Sequence, residues 1–113
     1  MADKTADGLD EVWDDWKEAV TMTASELERW LDTDRSKEVG DKSSGGESTG
    51  HRSGRRIVEI LRTRKGDLTD DDVVHMRKVV GYVHRHTAQK PEDWEGSTWE
   101  ASLKNWGHDP AKA

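Results

Sequence analysis

The sequence predicts an all-α fold, a small single domain of about five helices around a central antiparallel helix pair. Three observations support this prediction. Apolar residues recur at intervals of three and four in several segments, N-capping residues stand directly before those segments, and the alternation typical of half-buried strands is missing. At 113 residues the chain has the length of one domain, which we place at residues 8–110.

The first helix of the central pair is expected over about residues 53–65. Apolar residues at helical spacing give it one buried face. Gly66 follows at the position of a left-handed C-terminal cap, and Arg64 and Lys65 suit the negative end of the helix dipole. The buried face comprises Ile57, Ile60 and Leu61, with Val58 at its edge. The opposite face comprises Arg52, Arg55, Arg56, Glu59 and Arg62.

The second helix of the pair is expected to follow Thr69 and to end near Gln89. Thr69 is a favourable N-cap, and the three aspartates after it place negative charge where the free N–H groups of the first turn lie. Pro91 prevents the helix from continuing. A glycine inside a helix costs about 1 kcal/mol relative to alanine, so Gly81 indicates the close approach of another helix or a ligand. The buried stripe comprises Val73, Met76, Val79, Val80 and Val83.

Three shorter helices are expected to cover this pair. The first spans about residues 8–20, where apolar residues again have helical spacing. Thr23 with Glu26 forms a capping box that predicts a helix up to about residue 33. Ser97 with Glu100 forms a second capping box and predicts a last helix that ends at Gly107.

Tryptophan supplies much of the expected core. Only 31% of the residues are hydrophobic and 37% are charged, so the core is small. Each indole can bury roughly 200 Å², so a few of them can replace several leucine or valine side chains. The six tryptophans are Trp13, Trp16, Trp30, Trp94, Trp99 and Trp106. Cysteine is absent from the sequence, which excludes disulfides and thiolate zinc sites.

Three segments contain too few apolar residues to join that core. We expect a disordered N-terminus at residues 1–7, a mobile loop rich in glycine and serine at residues 34–50, and a tail at residues 111–113. No apolar run reaches the roughly 18 residues of a membrane span, and the acidic N-terminus differs from a signal peptide. We therefore expect a cytoplasmic protein with no membrane contact.

Charge is distributed unevenly along the chain, whose net charge is −6. Residues 1–49 contain 6 basic and 14 acidic side chains, residues 50–90 contain 10 and 5, and residues 91–113 contain 2 and 5. Two interpretations fit a basic centre between acidic ends. Either the acidic ends pack against the basic middle, or the basic residues form a surface for an anionic partner.

The sequence offers little support for catalysis or for a bound metal. Its serines and threonines stand at helix caps and in the glycine-rich loop, outside any nucleophile motif. His84 and His86 are two residues apart, whereas metal ligands on a helix favour spacings of three or four. Asp71 and His75 have a spacing of four, but a solvated or ion-paired histidine is the more common case. We expect a protein that is not an enzyme and has no catalytic residue, metal site or cofactor.

The basic residues favour a non-enzymatic nucleic-acid-binding or nucleoid-associated protein that contacts the phosphate backbone of DNA or RNA. Arginine suits bidentate contacts with phosphate. We place the contact on the first helix of the central pair, because the aspartates at the start of the second would repel phosphate. The alternative is a protein-interaction or self-association module, a homo-oligomer whose acidic and basic faces pair. The predicted nucleic-acid-binding residues are His51, Arg52, Arg55, Arg56, Arg62, Arg64, Lys65, Lys78 and Arg85.

Four motifs of this chain resemble those of the family catalogued as domain of unknown function 3140, a small microbial family. They are GHRSGRR at residues 50–56, DDDVVHMRKVVGYV at 70–83, HRHTAQKP at 84–91 and NWGHDP at 105–110. The resemblance extends over about residues 12–110. Members of the family are sometimes loosely labelled DNA-binding, so the resemblance directs attention to the basic residues of GHRSGRR. The family has no established activity, so it implies no catalytic residues, and the NWGHDP match implies a structured C-terminal end.

Overall fold

The computed structural model describes residues 8–39 and 49–112, and over these residues the fold is all-α, as predicted. A 3₁₀ turn at Lys65–Asp67 precedes the longest helix. The predictions for residues 1–7, 40–48 and 113 lie outside the described residues. None of the described helices combines the length and the apolar composition that crossing a bilayer requires. The six α-helices are α1 (Leu9–Ala19), α2 (Ala24–Leu31), α3 (Asp34–Glu38), α4 (Thr49–Leu61), α5 (Asp70–Thr87) and α6 (Thr98–Asn105).

The helices pack as two pairs that cross. Helix α5 packs mainly on α1, and α4 packs mainly on α2. Helices α4 and α5 touch over a smaller area, where Ser53 meets His75 and Arg56 meets Asp72. Because residue numbers rise along α4 and fall along α5 between these contacts, the two helices run in opposite directions at the crossing. The predicted central pair therefore corresponds to the contact between α4 and α5, where the two helix pairs meet. The larger interfaces are those of α5 with α1 and of α4 with α2.

One apolar core joins five of the helices. Its fully buried side chains come from α1, α2, α4, α5 and α6, namely Leu9, Leu27, Ile57, Met76, Val79 and Leu103. Of the six tryptophans, Trp16 and Trp106 are buried, with 3% and 5% of their surface exposed. Trp13, Trp30 and Trp99 are partly buried and pack against the core. Indoles from the N-terminal and the C-terminal helices thus cover the core.

Side-chain caps fix the starts of the helices. Thr23 and Thr69 form complete capping boxes with Glu26 and Asp72, as their spacing predicts. The Ser97 hydroxyl accepts a hydrogen bond from the Glu100 N–H at 3.2 Å, but the Glu100 carboxylate accepts one from the Gly96 N–H, at 2.8 Å. The second predicted capping box is therefore half formed, and α6 still begins at the predicted position.

Helix α4 is displaced from its predicted position. It begins at Thr49 and ends at Leu61, four residues earlier at each end than expected. At its end the Thr63 hydroxyl donates a hydrogen bond to the Glu59 carbonyl at 2.7 Å, which satisfies one of the free carbonyls of the last turn. The prediction that Gly66 is a left-handed cap is wrong, because Gly66 lies in the 3₁₀ turn and its φ is not positive.

The predicted mobile loop contains a short helix at its start. Helix α3 is capped by the Thr33 hydroxyl, which accepts a hydrogen bond from the Ser36 N–H at 3.1 Å. Ser36 is fully buried and its hydroxyl donates to Asn105 Oδ1 at 2.5 Å. The loop prediction is wrong for Asp34–Glu38 because a polar residue packs there on a polar partner, which the count of apolar residues does not reveal.

The C-terminal end is anchored to the turn between α1 and α2. His108 is buried, and its Nδ1 lies 2.7 Å from the Ala19 carbonyl oxygen. The Asp109 N–H donates to the Thr21 hydroxyl at 2.8 Å. Lys112 forms an ion pair with Glu26, which lowers the pKa of that carboxyl to about 2. The structured end that NWGHDP implies is therefore present through these contacts.

Candidate nucleic-acid interface

Two glycines orient the basic face of α4. Gly50 and Gly54 lie one helical turn apart and face the end of α6. A β carbon at Gly54 would lie 2.5 Å from the Asn105 carbonyl oxygen, and one at Gly50 would lie 3.1 Å from Trp106 Nε1. No side chain fits such an approach without displacement. Because α4 presents its glycines to α6, the arginines of the GHRSGRR motif are left on the outer surface.

Asn105 holds that end of α6 in place. Its side chain is 1% exposed and its Oδ1 accepts hydrogen bonds from Trp30 Nε1 at 2.7 Å and from the Ser36 hydroxyl at 2.5 Å. Its Nδ2 donates to the Ser36 carbonyl at 3.1 Å. A buried amide with its partners satisfied is costly to remove. The GHRSGRR and NWGHDP motifs, 55 residues apart in the sequence, therefore meet in a fixed geometry.

Ser53 and His75 form a hydrogen bond across the crossing of α4 and α5. The Ser53 hydroxyl lies 2.9 Å from His75 Nε2, and the Trp106 ring is stacked nearly parallel to the imidazole at 6.5 Å between centroids. Burial lowers the pKa of His75, and the positive charges of Arg56 and Lys78 lower it further. With 4% of its surface exposed, Ser53 links the helices and is not accessible to a substrate. Sequence reasoning missed this pair because 22 residues separate its members.

Four cations surround this crossing, and we call them the basic cluster. Arg52, Arg55 and Arg56 line one surface pocket together with Glu59, and Lys78 flanks His75 from α5. Arg52 is exposed, and no carboxylate of the described residues lies within ion-pair distance of it. Arg56 contacts Asp72 at 2.7 Å, but 41% of its side chain stays exposed to solvent. The cluster comprises Arg52, Arg55, Arg56 and Lys78.

Two other predicted site residues pair with acidic side chains of α2 and α1. Arg62 turns towards α2 and forms two hydrogen bonds with the Glu28 carboxylate, at 3.0 and 3.1 Å. Lys65 lies 3.4 Å from Asp10 of α1 and over the Trp13 ring. Arg62 lines the cleft between α2 and α4 together with Arg55, and an acidic partner binds its guanidinium there. Arg64 is exposed beside the 3₁₀ turn, Arg85 is exposed on α5, and the side chain of His51 lies outside the described residues.

A row of stacked rings begins at the basic cluster and follows α5. It comprises His75, Trp106, Tyr82, His86 and Trp99, with successive centroids 6.5, 4.2, 5.1 and 5.9 Å apart. Trp94 meets Trp99 edge-on at the far end, at 6.1 Å and an angle of 67°. Lys90 Nζ lies 5.1 Å from the centre of the Trp94 ring. We call the five stacked rings from His75 to Trp99 the aromatic row, which does not include Trp94.

The described residues contain no group of three or more histidine, aspartate or glutamate side chains that could hold a metal ion.

A family model described as "Protein of unknown function (DUF3140)" matches residues 15–104, which is most of the chain. No curated protein and no solved structure matches the chain.

Proposed function

We propose that this chain, which belongs to the DUF3140 family, binds the phosphate backbone of nucleic acids through the basic cluster. The observation that carries the proposal is the charge at the crossing of α4 and α5. Arg52, Arg55 and Arg56 line one pocket, and Lys78 approaches from α5. Guanidinium groups on a convex helix surface suit phosphate oxygens, which accept paired N–H donors.

The rigid support beneath the cluster strengthens the proposal. The glycine contacts with α6 and the Ser53–His75 hydrogen bond fix α4 relative to α5. Arginines on a fixed helix lose less conformational entropy on binding than arginines on a loop. Of the three aspartates at the start of α5, Asp72 caps its own helix and pairs with Arg56. The four cations of the cluster therefore outnumber the carboxylates of Glu59 and Asp72 beside them, although the whole chain is acidic.

Charge reversal within the cluster tests the proposal. In Arg52→Glu/Lys78→Glu two exposed cations of the cluster are reversed, and in the control Lys17→Glu/Arg29→Glu two exposed cations of α1 and α2 undergo the same change. We expect the cluster variant to lose nucleic-acid binding at least about tenfold more than the control, with a flatter dependence of log K on log salt. Fluorescence anisotropy with a labelled oligonucleotide at several salt concentrations measures both quantities. Equal losses in the two variants would contradict the proposal.

A second candidate function is supported by a cleft between α2 and α4. The cleft has a volume of about 440 Å³, an apolar floor of Leu31 and Val58, and a rim of both charge signs. The outer face of α1 also presents exposed carboxylates, including Asp14, Asp15 and Glu18. These features favour self-association in which acidic and basic faces pair. Solution mass measured at low and high salt tests it: salt-sensitive dimers would support self-association, and monomers at every salt concentration would exclude it.

A further inference from the structure

We infer that the nucleic acid bound by this protein is single-stranded, and that Trp94 is the ring on which one of its bases stacks. The inference rests on the proposed function and adds to it the class of nucleic acid and a second contact point. It is carried by the position of the aromatic row, which leads from the basic cluster towards Trp94.

Cations accompany the aromatic row along α5. Lys78 precedes Tyr82 by four residues and Arg85 follows it by three, and such residues are neighbours on a helix surface. The Arg85 guanidinium folds back to the residue before Tyr82, since its Nη1 would lie 3.1 Å from a β carbon at Gly81. Lys90 continues this line of charge beyond the end of α5. From His75 to His86 the row extends over roughly 16 Å of helix, a length that several nucleotides of an extended strand can follow.

The combination of cations and aromatic rings distinguishes a single strand from a duplex. Cations alone contact the phosphates of either form. A duplex keeps its bases stacked on one another, whereas a single strand presents base faces that stack on aromatic side chains. An aromatic ring with an accessible face beside a line of cations therefore adds a contact for a single strand and adds little for a duplex.

Trp94 differs from the rings of the row in the availability of its face. Tyr82 and His86 each have a ring stacked on either side. Trp94 is half-buried and is not stacked in parallel on Trp99, since the two rings meet at 67°. The exposed ammonium of Lys90 lies over the Trp94 ring instead. A stacked base holds an aromatic ring more strongly than an exposed ammonium does, so a base can replace Lys90, which is then free to contact a phosphate.

Anisotropy titrations with three labelled probes test the inference. The probes are a single-stranded oligothymidylate and an oligouridylate of about 12 nucleotides and a duplex of the same length. We expect the parent to bind the single strands about tenfold more tightly than the duplex. We expect Trp94→Leu to weaken single-strand binding about tenfold and duplex binding less than about twofold, and Trp94→Phe to retain most of the affinity. The matched control is Trp13→Leu, because Trp13 is also half-buried under a lysine ammonium but lies on α1.

If Trp94→Leu does not fold, a variant at the exposed Lys90 tests the inference in its place. Lys90→Glu should weaken single-strand binding more than Lys17→Glu, which changes charge equally on α1. Equal affinity for single strands and duplex, or equal effects of the Trp94 and Trp13 variants, would overturn the inference and leave phosphate binding intact. Failure of every probe to bind at low salt would overturn the proposed function as well. The two single-stranded probes show whether the sugar affects binding.

Discussion

At Gly54 a β carbon would lie 2.5 Å from the Asn105 carbonyl oxygen and 2.7 Å from Leu31 Cδ2. The first neighbour is backbone and cannot move without shifting the end of α6. At Gly81, also inside a helix, the described atoms that a β carbon would approach belong to the flexible side chain of Arg85, at 3.1 Å. The sequence indicates a close approach at Gly81, whereas the structure places the tight contact at Gly54.

These two glycines predict opposite effects of the same substitution. Gly54→Ala should lower the free energy of unfolding by about 1–3 kcal/mol, because overpacking outweighs the gain in helix propensity. Gly81→Ala should raise it by about 0.5–1 kcal/mol, because the arginine can move aside. Urea denaturation monitored by circular dichroism measures both. A stabilised Gly54→Ala variant would show that α4 and α6 do not pack as described.

His75 should make stability depend on pH. Burial and the charge of Arg56 lower the pKa of His75, so the folded protein takes up this proton less readily than the unfolded chain does. Its contribution to stability is complete above the ordinary histidine pKa of about 6.5 and decreases as the pH falls below it. We therefore expect His75→Gln to lose less stability than the parent between about pH 7.5 and pH 5.5.

Denaturation at several pH values measures this difference. His84→Gln is the matched control, because His84 lies on the exposed side of the same helix. Its stability should fall with pH as steeply as that of the parent. An unchanged slope in His75→Gln would mean that His75 is protonated equally well in the folded and the unfolded protein.

At the scale of the element, hydrogen bonds at helix ends decide what the sequence can predict. The starts of α2 and α5 were predictable, because Thr23 and Thr69 find their partners three residues away. The end of α4 was not, because a threonine hydroxyl closes the last turn before the glycine that suggested a cap. Helix α3 was not predictable either, since its buried serine is satisfied by an asparagine 69 residues away.

Removal of one cap measures how much a helix start contributes. Thr69→Ala deletes the oxygen that accepts the Asp72 N–H, whereas the backbone N–H of residue 69 can still donate to the Asp72 carboxylate. We expect a loss of about 1 kcal/mol in the free energy of unfolding. Thr98→Ala is the control, because Thr98 is exposed in the first turn of α6 and does not cap it. Its effect should stay within about 0.5 kcal/mol, and equal losses in the two variants would contradict the role of the cap.

At the scale of the whole molecule, the acidic N-terminal helices pair with part of the basic middle of the chain. Among the residues that the structure describes, acidic side chains of α1 and α2 form three ion pairs with this basic middle. These pairs neutralise the part of the basic middle that lies next to α1 and α2. Within the basic cluster, Arg52 is exposed and Arg56 keeps 41% of its side chain exposed, while Arg55 lines both the pocket of the cluster and the cleft between α2 and α4. The three pairs join Asp10 to Lys65, Glu11 to Arg77 and Glu28 to Arg62.

The fold class and the basic character of α4 could be predicted from the sequence, because both follow from local spacing. The packing of the helices could not, because the contacts that determine it join distant residues. Gly50, Ser53 and Gly54 did provide a signal, since small residues at intervals of three and four mark a helix face that another element approaches. That signal indicates a close contact but does not identify the partner, which the structure places at Asn105 and Trp106.

The central claim is that nucleic acid meets this protein at the basic cluster. Backbone amide chemical shifts of the labelled protein, recorded by NMR during titration with a single-stranded oligonucleotide, test this claim most directly. We expect saturable shift changes at residues 52–56 and 78–86, and none along the acidic outer face of α1 at residues 10–18. Changes that concentrate on α1, or spectra that stay the same at low salt, would contradict the claim.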